Sequence, residues 1–180
     1  AQGAYIHNLE PFWAHYQGNW RLEFNKDHAG DVYATHGLGP VCQVLDIHRG
    51  DKMEYLVSMS TPSYNGKKIA KEMMGTEEFA NGDMTSTLIK TNKGKTILIQ
   101  HNVYTPRPYD RLYQLTGTEG FANKYPIEGF TLKEENIPSD VIPDHEKLDE
   151  HGFVSNEVRD SLMMAYKHPI AKDIEEKAKQ

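Results

Sequence analysis

The chain has 180 residues, with 20 lysines and arginines against 26 aspartates and glutamates and a formal net charge of -6. A chain of this length can bury a hydrophobic core without disulfides or metal, and its acidic balance argues against a nucleic-acid-binding surface, which is typically basic. The single cysteine excludes an internal disulfide and a cysteine-rich zinc site, and no apolar stretch reaches the roughly 20 residues of a transmembrane helix.

The N-terminal part of the chain predicts a strand followed by an aromatic segment. Residues 2–8 are typical of a short strand, whereas residues 11–16 are aromatic-rich and irregular and lead into a short segment at residues 20–24. The large rings here form either a sugar-stacking platform or a small core of the loop itself, and we favour the small core. These rings belong to Trp13, Tyr16 and Trp20.

An amphipathic helix is predicted after this segment. From Leu38 onward, apolar residues recur at the i, i+3, i+4 and i+7 positions of one helix face. Thr35 is the predicted N-terminal cap, and Pro40 suits the first turn of such a helix. Residues 49–51 are expected to end it, with Gly50 as the C-terminal cap.

The middle of the chain predicts antiparallel strands. Residues 61–81 are polar and are expected to form a long excursion with a helical turn around residues 68–74. Runs of β-branched and apolar residues bounded by turn residues predict the strands themselves. These strands lie at residues 53–60, 84–90 and 95–101, with a turn at residues 92–94 joining the last two.

The last third of the chain predicts short strands and then helix. Residues 113–121 and 129–132 are typical of strands, and residues 156–179 are charged and helical, with an interruption near the His168–Pro169 pair. The order of strand, helix, several antiparallel strands and helix predicts an α+β fold with helices on one face of a sheet. A loop is expected where Pro138 and Pro143 occur.

General motif patterns do not identify a chemistry. The chain has no glycine-rich dinucleotide turn, no nucleophile elbow and no paired-histidine zinc motif. Its carboxylates cluster in charged segments such as residues 144–150 and 173–176, which are expected to be solvated surface. Histidines crowd the first forty residues without the spacing of a metal site, at His7, His15, His28 and His36.

One stretch, residues 30–51, carries a more specific signal. The sequence YATHGLGP at residues 33–40 places tyrosine, threonine and histidine directly before a glycine-rich helix start, where free backbone N–H groups favour ligands. This pattern closely resembles the motif of the NAD-dependent glycoside hydrolases of family 109, typified by α-N-acetylgalactosaminidase, which are relatives of the Gfo/Idh/MocA oxidoreductases. The resemblance extends through residues 105–109 and 117–120 and covers at least residues 1–121.

The resemblance implies a domain organisation. In this family a Rossmann-type nucleotide-binding domain precedes a C-terminal domain that is a large, open, mainly antiparallel sheet, and the helix-free face of that sheet mediates oligomer contacts. We therefore expect residues 1–180 to be a single substrate-binding and oligomerisation domain, truncated at both ends. Many relatives are exported by bacteria, so an exported or periplasmic protein is compatible with the resemblance, which does not fix the compartment.

The resemblance also implies a set of site residues. Tyr33, His36 and Tyr109 are expected to be catalytic, and Tyr33 would also contact the cofactor. Ala34 stands where many relatives have proline. Plain oxidoreductases of the superfamily often carry an aspartate and a histidine four residues apart on this helix; here Pro40 follows His36 at that spacing, which favours the hydrolase branch. The expected substrate-binding residues are Tyr5, Arg21, Tyr33, Ala34, Thr35, His36 and Tyr109.

The implied chemistry is cleavage of N-acetylhexosaminides with NAD, through oxidation of the sugar at C3, elimination at C1, addition of water and reduction. The Rossmann domain would hold most of the cofactor, so this chain alone is expected to be inactive. Two alternatives remain open: an NAD(P)-dependent sugar or inositol oxidoreductase domain, and a non-catalytic oligomerisation or carbohydrate-binding module. The expected partners are a carbohydrate, the Rossmann domain and further copies of the protein, without nucleic acid, membrane or metal.

Overall fold

The computed structural model describes residues 1–16, 20–125, 128–139 and 154–179. Its contacts divide the chain into two compact units. The N-terminal unit comprises Ala1–Leu115 and a short segment that begins at Lys124, and the C-terminal unit comprises Thr116–Asn123 and the rest of the described chain.

A mainly antiparallel sheet forms the centre of the N-terminal unit. Its strands are β1 (Gln2–Ile6), β2 (Met53–Ser60), β3 (Thr85–Thr91), β4 (Thr96–Asn102) and β5 (Tyr113–Thr116). Their order is β2-β3-β4-β1-β5, in which only the β1–β4 pair is parallel. The predicted strands at 53–60, 84–90 and 95–101 are confirmed to within one residue, and so is the α+β class.

Four helices accompany this sheet among the described residues. They are α1 (Trp13–Tyr16), α2 (Trp20–Asp27), α3 (Ala34–Val44) and α4 (Asn65–Met74), and a short 3-10 turn precedes α1 at Glu10–Phe12. The expectation of an irregular segment at residues 11–16 was therefore wrong, because the 3-10 turn and α1 occupy it, and the short segment at residues 20–24 is part of α2.

The position of α3 differs from the sequence expectation. The helix begins at Ala34 rather than near Leu38, so Thr35 lies inside its first turn and does not cap it, and Pro40 lies within the helix. It ends at Val44, and residues 45–51 form a turn in which Gly50 has a φ of 142°. The apolar periodicity from Leu38 and the proline preference for a first turn suggested the later start, whereas the observed first turn includes Gly37, which packs against β1.

The packing of α3 on β1 is a contact between two backbones. Gly37 on α3 is buried against Gly3 on β1. A Cβ added to Gly37 would lie 2.8 Å from the backbone nitrogen of Ala4, and one added to Gly3 would overlap the Gly37 carbonyl. Only glycine at both positions allows the helix and the strand to approach this closely.

Helix α4 is longer than the predicted helical turn because both of its ends are specified by contacts or backbone geometry. The carboxylate of Asp83 accepts hydrogen bonds from the backbone N–H groups of Tyr64, Asn65 and Gly66 at 2.9–3.1 Å. Gly75 adopts a left-handed conformation with a φ of 70° and ends the helix. Asp83 lies at least 17 positions along the chain from the N–H groups that it caps. A local sequence pattern does not reveal a cap at this separation.

The two faces of the β3–β4 hairpin differ in what covers them, whereas β2 beside it is exposed on both faces. Helix α3 lies on one face, where Val41 packs with Ile89, Ile97 and Ile99 in a buried cluster. On the opposite face, Val57 on β2 pairs with Leu88 on β3. We call this second surface the open face; its exposed side chains are Tyr55, Val57, Met59 and Leu88, at 54–72% exposure.

The aromatic segment before α3 is only partly a small core. Trp13 is fully buried, with its ring 5.8 Å from that of Tyr104 and nearly parallel to it. Trp20 is 64% exposed, so the assignment to a core is confirmed for Trp13 and wrong for Trp20. The side chain of Tyr16 lies outside the described part of the structure.

The C-terminal unit contains a hairpin and two helices. Strands β6 (Gly120–Lys124) and β7 (Gly129–Leu132) are antiparallel, and α5 (Asn156–Ala165) and α6 (Pro169–Ala178) follow. A small core forms from Ile137, Val154, Val158 and Leu162.

Comparison with the sequence expectations is mixed in this region. The single strand expected at 113–121 is in fact β5 and β6, separated by residues 117–119, while the strand at 129–132 is confirmed. His168 caps α6 and Pro169 is its first residue, which confirms the predicted interruption. Pro138 lies outside the described helices and strands, whereas Pro143 falls outside the described residues. None of the described helices is long and apolar enough to cross a membrane.

Candidate functional site

Aromatic rings gather where β1 ends and α3 begins. The rings of Tyr5 and His36 are stacked with centroids 4.5 Å apart and an interplanar angle of 19°. Tyr33 lies 5.0 Å from Tyr5 and 6.2 Å from His36, measured between ring centroids. These distances place three of the predicted site residues in one group, with Tyr5 on β1 and the other two at the start of α3.

His7 connects this group to Tyr109. Its ring meets the Tyr109 ring edge to face at 4.9 Å, and its Nδ1 is 3.3 Å from the hydroxyl of Tyr5. Tyr109 is 45% exposed and also contacts Tyr125, at 6.0 Å between ring centroids. His36 is exposed as well, whereas Tyr5 is buried at 8% exposure. The group therefore has a buried base and an accessible surface.

Arg111 completes the group. Its guanidinium carbon lies 5.2 Å from the ring centroid of Tyr5 and 5.7 Å from that of Tyr109. We call the whole group the aromatic cluster; its members are Tyr5, His7, Tyr33, His36, His101, Tyr109 and Arg111.

Arg21, Ala34 and Thr35 are placed less centrally. The guanidinium of Arg21 lies 5.1 Å from the ring centroid of Trp20, its neighbour on α2, and the ring contacts that define the aromatic cluster do not include it. Ala34 and Thr35 occupy the first turn of α3, and Thr35 is exposed. The structure thus brings together Tyr5, Tyr33, His36 and Tyr109, and shows Arg21 beside Trp20.

Two histidines of the aromatic cluster have lowered pKa values. Burial is the larger cause and the positive charge of Arg111 the smaller one, for both His7 and His36. A lowered pKa keeps the imidazole neutral at pH 7, so that one ring nitrogen can accept a proton. His36 is the more accessible of the two and is therefore the better placed proton acceptor.

Asp31 holds Tyr33, the residue that directly precedes α3. Its Oδ1 accepts a hydrogen bond from the backbone N–H of Tyr33 at 3.0 Å. Burial raises the pKa of this carboxyl to about 6, although the Tyr33 N–H acts in the opposite direction. The hydrogen bond fixes the backbone from which the Tyr33 ring projects.

His101 forms the buried base of the aromatic cluster. It pairs with Tyr5 across β4 and β1, and its ring stacks on Tyr33 at 5.5 Å. It is fully buried, and neither ring nitrogen has a hydrogen-bond partner among the described residues. Burial lowers its pKa to about 4, so the ring is neutral in the folded protein at pH 7.

Sequence reasoning missed His7, His101 and Arg111 as members of the site. His7 follows Tyr5 by two residues, and Arg111 follows Tyr109 by two residues. Side chains two apart in extended chain point to the same side, so this spacing was an available signal. His101 carried no comparable signal, because it reaches Tyr5 through strand pairing alone.

The aromatic cluster carries side chains of the kinds that bind a polyhydroxyl compound. Within the described ranges, no three histidine, cysteine, aspartate or glutamate side chains group closely enough to hold a metal ion. The aromatic cluster instead offers ring faces for a sugar ring, one guanidinium and a neutral imidazole. For a dinucleotide it offers ring surface only, since a 3-10 turn follows β1 in place of a glycine-rich turn and helix.

Comparison with known proteins gives a consistent assignment. A family model described as "Glycosyl hydrolase 109, C-terminal domain" matches residues 5–180. The chain is 60% identical over 181 residues to "Glycosyl hydrolase family 109 protein 1" of Bacteroides fragilis, which it covers to 39% while 99% of the chain is aligned. It is 58% identical to a family 109 protein of Porphyromonas gingivalis, with 100% of the chain and 39% of that protein aligned. The chain spans about two-fifths of the length of these curated relatives.

Proposed function

The chain belongs to glycosyl hydrolase family 109, as its C-terminal domain, and on this premise we propose that the full-length protein hydrolyses N-acetylhexosaminides of the α-N-acetylgalactosaminide type. One observation carries the proposal for this chain. Tyr5, the neighbours Tyr33 and His36, and Tyr109 come from three distant parts of the sequence and meet in the aromatic cluster, on a surface that exposes His36 and Tyr109.

Within this proposal, each side chain has a role that its position supports. His36 accepts a proton from the sugar, at the C3 hydroxyl or at C2, because its imidazole is accessible and its pKa is lowered. Tyr33 and Tyr109 orient hydroxyl groups and relay protons. Tyr5 lies beneath His36 and holds the imidazole by stacking.

NAD is the cofactor that we propose for the full-length protein. When bound, it would remove hydride from sugar C3 at the start of the reaction and return it at the end. Tyr33 is the residue of this chain that would contact it, through the ring surface that it shares with His36 and Tyr5. The Rossmann domain expected in the same protein would hold the rest of the cofactor.

Substitution of His36 tests the catalytic part of the proposal. In the full-length protein, His36→Ala should lower turnover of 4-nitrophenyl N-acetyl-α-galactosaminide by roughly 10²–10⁴-fold, as is typical for loss of a general acid–base group. His28→Ala is the matched control, because His28 is exposed and contacts Phe24 rather than the aromatic cluster. Near-normal turnover of the His36 variant would contradict the assignment.

The same assay separates the alternative functions. A hydrolase of this type returns its hydride, so free NADH should not accumulate with turnover. Accumulation of NADH without glycoside cleavage would indicate a sugar oxidoreductase. Binding of the sugar with neither reaction would indicate a carbohydrate-binding module.

A further inference from the structure

Arg111 is a cation whose recorded contacts are aromatic rather than acidic. Its guanidinium packs on the rings of Tyr5 and Tyr109. Its Nε is buried and has no hydrogen-bond acceptor within the described ranges. A guanidinium carries five N–H donors, and a buried donor without an acceptor is destabilising. The arrangement therefore leaves hydrogen-bonding capacity for a ligand.

The neighbouring acid does not neutralise Arg111. Asp110 directs its Oδ2 toward Arg107 at 3.6 Å, and its Oδ1 has no hydrogen-bond partner in the described part of the chain. The other titratable groups facing Arg111 are His7 and His36, which its charge helps to keep neutral. The positive charge is thus retained at an accessible surface beside His36.

The backbone around Arg111 is held in place by β1. Ile6 and Asp110 exchange a pair of backbone hydrogen bonds at 2.9 and 3.0 Å, and the Ala4 N–H donates to the Leu112 carbonyl at 3.0 Å. Arg111 lies between these anchored residues and is therefore fixed beside Tyr5. A donor positioned before the ligand arrives loses less entropy on binding than a mobile side chain does.

We propose that Arg111 is a substrate-binding residue, whose guanidinium donates hydrogen bonds to an oxygen of a sugar that lies against Tyr109 and His36. The acceptor is either a hydroxyl oxygen or the carbonyl oxygen of an acyl substituent, since both have the lone pairs that a guanidinium recognises. This inference rests on the proposed function for the identity of the ligand as a sugar. It adds Arg111 to the substrate-binding residues that the resemblance implies, among which is Arg21.

The experiment compares two arginines of one loop in the full-length protein. The variants are Arg111→Met, Arg111→Lys and the control Arg107→Met, which removes the arginine that pairs with Asp110. Calorimetry gives the dissociation constants of N-acetylgalactosamine and of galactose, and glycoside turnover is measured in parallel. Hydrogen bonds to charged groups predict a loss of about 10–100-fold in affinity for Arg111→Met, a smaller loss for Arg111→Lys and little change for the control.

The two sugars identify the acceptor. A loss of affinity for both sugars indicates a hydroxyl oxygen, whereas a loss confined to N-acetylgalactosamine indicates the acyl carbonyl. Unchanged affinity in any folded Arg111 variant overturns the inference, and Arg111→Gln serves if Arg111→Met does not fold. An equal loss in Arg107→Met also overturns it, because the effect would then belong to the loop.

Failure of the inference can be distinguished from failure of the proposed function. If the wild-type protein cleaves the glycoside and the Arg111 variants bind the sugars with unchanged affinity, the hydrolase is supported and the role of Arg111 is overturned. Sugar binding that depends on Arg111, without wild-type glycoside turnover, supports the inference and overturns the hydrolase. Absence of both turnover and sugar binding in the wild type overturns both.

Discussion

The β3–β4 hairpin presents apolar side chains on two faces with opposite environments. Under α3, Ile89 and Ile97 are almost inaccessible, at 3% and 0% exposure. On the open face, Leu88 and its partner Val57 are 54% and 59% exposed. Alternation places successive residues on opposite faces, so hydrophobicity alone cannot tell which face the helices cover. The difference shows that apolar character in this sheet does not by itself identify the face on which the helices pack.

Truncation of one apolar residue on each face should give the largest difference. Ile97→Ala removes a fully buried side chain and should lower the free energy of unfolding by about 2–5 kcal/mol. Leu88→Ala on the open face should change it by no more than about 0.5 kcal/mol in the monomer. Chemical denaturation of the two variants measures both values. Equal losses would show that the open face is covered as well.

Acid should lower the free energy of unfolding through His101. Its pKa falls from 6.5 to about 4 on folding, so the unfolded chain binds more protons between these values. The stabilisation is complete above pH 6.5 and is lost as the pH falls toward 4, by about 3 kcal/mol. His101→Phe should remove this part of the pH dependence in denaturation curves, whereas His28→Phe, at an exposed position, should keep it.

Replacing two glycines of α3 with alanine, one at a time, should change the stability of the protein in opposite directions. Gly37→Ala should destabilise the protein by about 1–3 kcal/mol, because the added Cβ meets the backbone of Gly3 and Ala4. Gly39→Ala should be neutral or stabilising by up to about 1 kcal/mol, since its added Cβ would lie 3.9 Å from the nearest atom, on Thr35, and alanine favours helix. Thermal unfolding of both variants would reveal the sign. A stabilised Gly37 variant would contradict the close packing.

The smallest effect on folding is expected on the open face itself. We propose that this face joins copies of the full-length protein, because its exposed apolar side chains form a contiguous patch on paired strands. Val57→Lys should leave the unfolding free energy of the monomer within about 0.5 kcal/mol while shifting sedimentation velocity toward smaller species. Gln43→Lys, an exposed position on α3 and therefore on the opposite side of the sheet, is the matched control. An unchanged assembly would contradict a role for this face.

Short-range sequence preferences predicted the elements whose limits depend on neighbouring residues in the chain. The strand at 129–132 and the break before Pro169 follow from short-range preferences and were correct. The start of α3 was misplaced because a contact with β1, some thirty residues earlier in the chain, decides it. The strand expected at 113–121 was divided because its glycines mark a break rather than an end.

The candidate site also depends on contacts between residues that are far apart in the sequence. Tyr5, Tyr33, His36 and Tyr109 were found through resemblance, and their meeting required the fold. His101 could not be found from its sequence position, since it reaches the site by pairing across strands.

The contact of Gly3 with Gly37 has a consequence for how this site can evolve or be engineered. A clash between two side chains can be relieved by making the partner smaller. Here the obstacle on each side is backbone, and neither glycine has a side chain to lose. A second substitution therefore cannot rescue the first, and the spacing between the Tyr5 and His36 rings is insulated from ordinary compensatory mutation. Diversification of substrate preference would have to proceed through positions such as 109 and 111, which surround this fixed pair without setting its spacing.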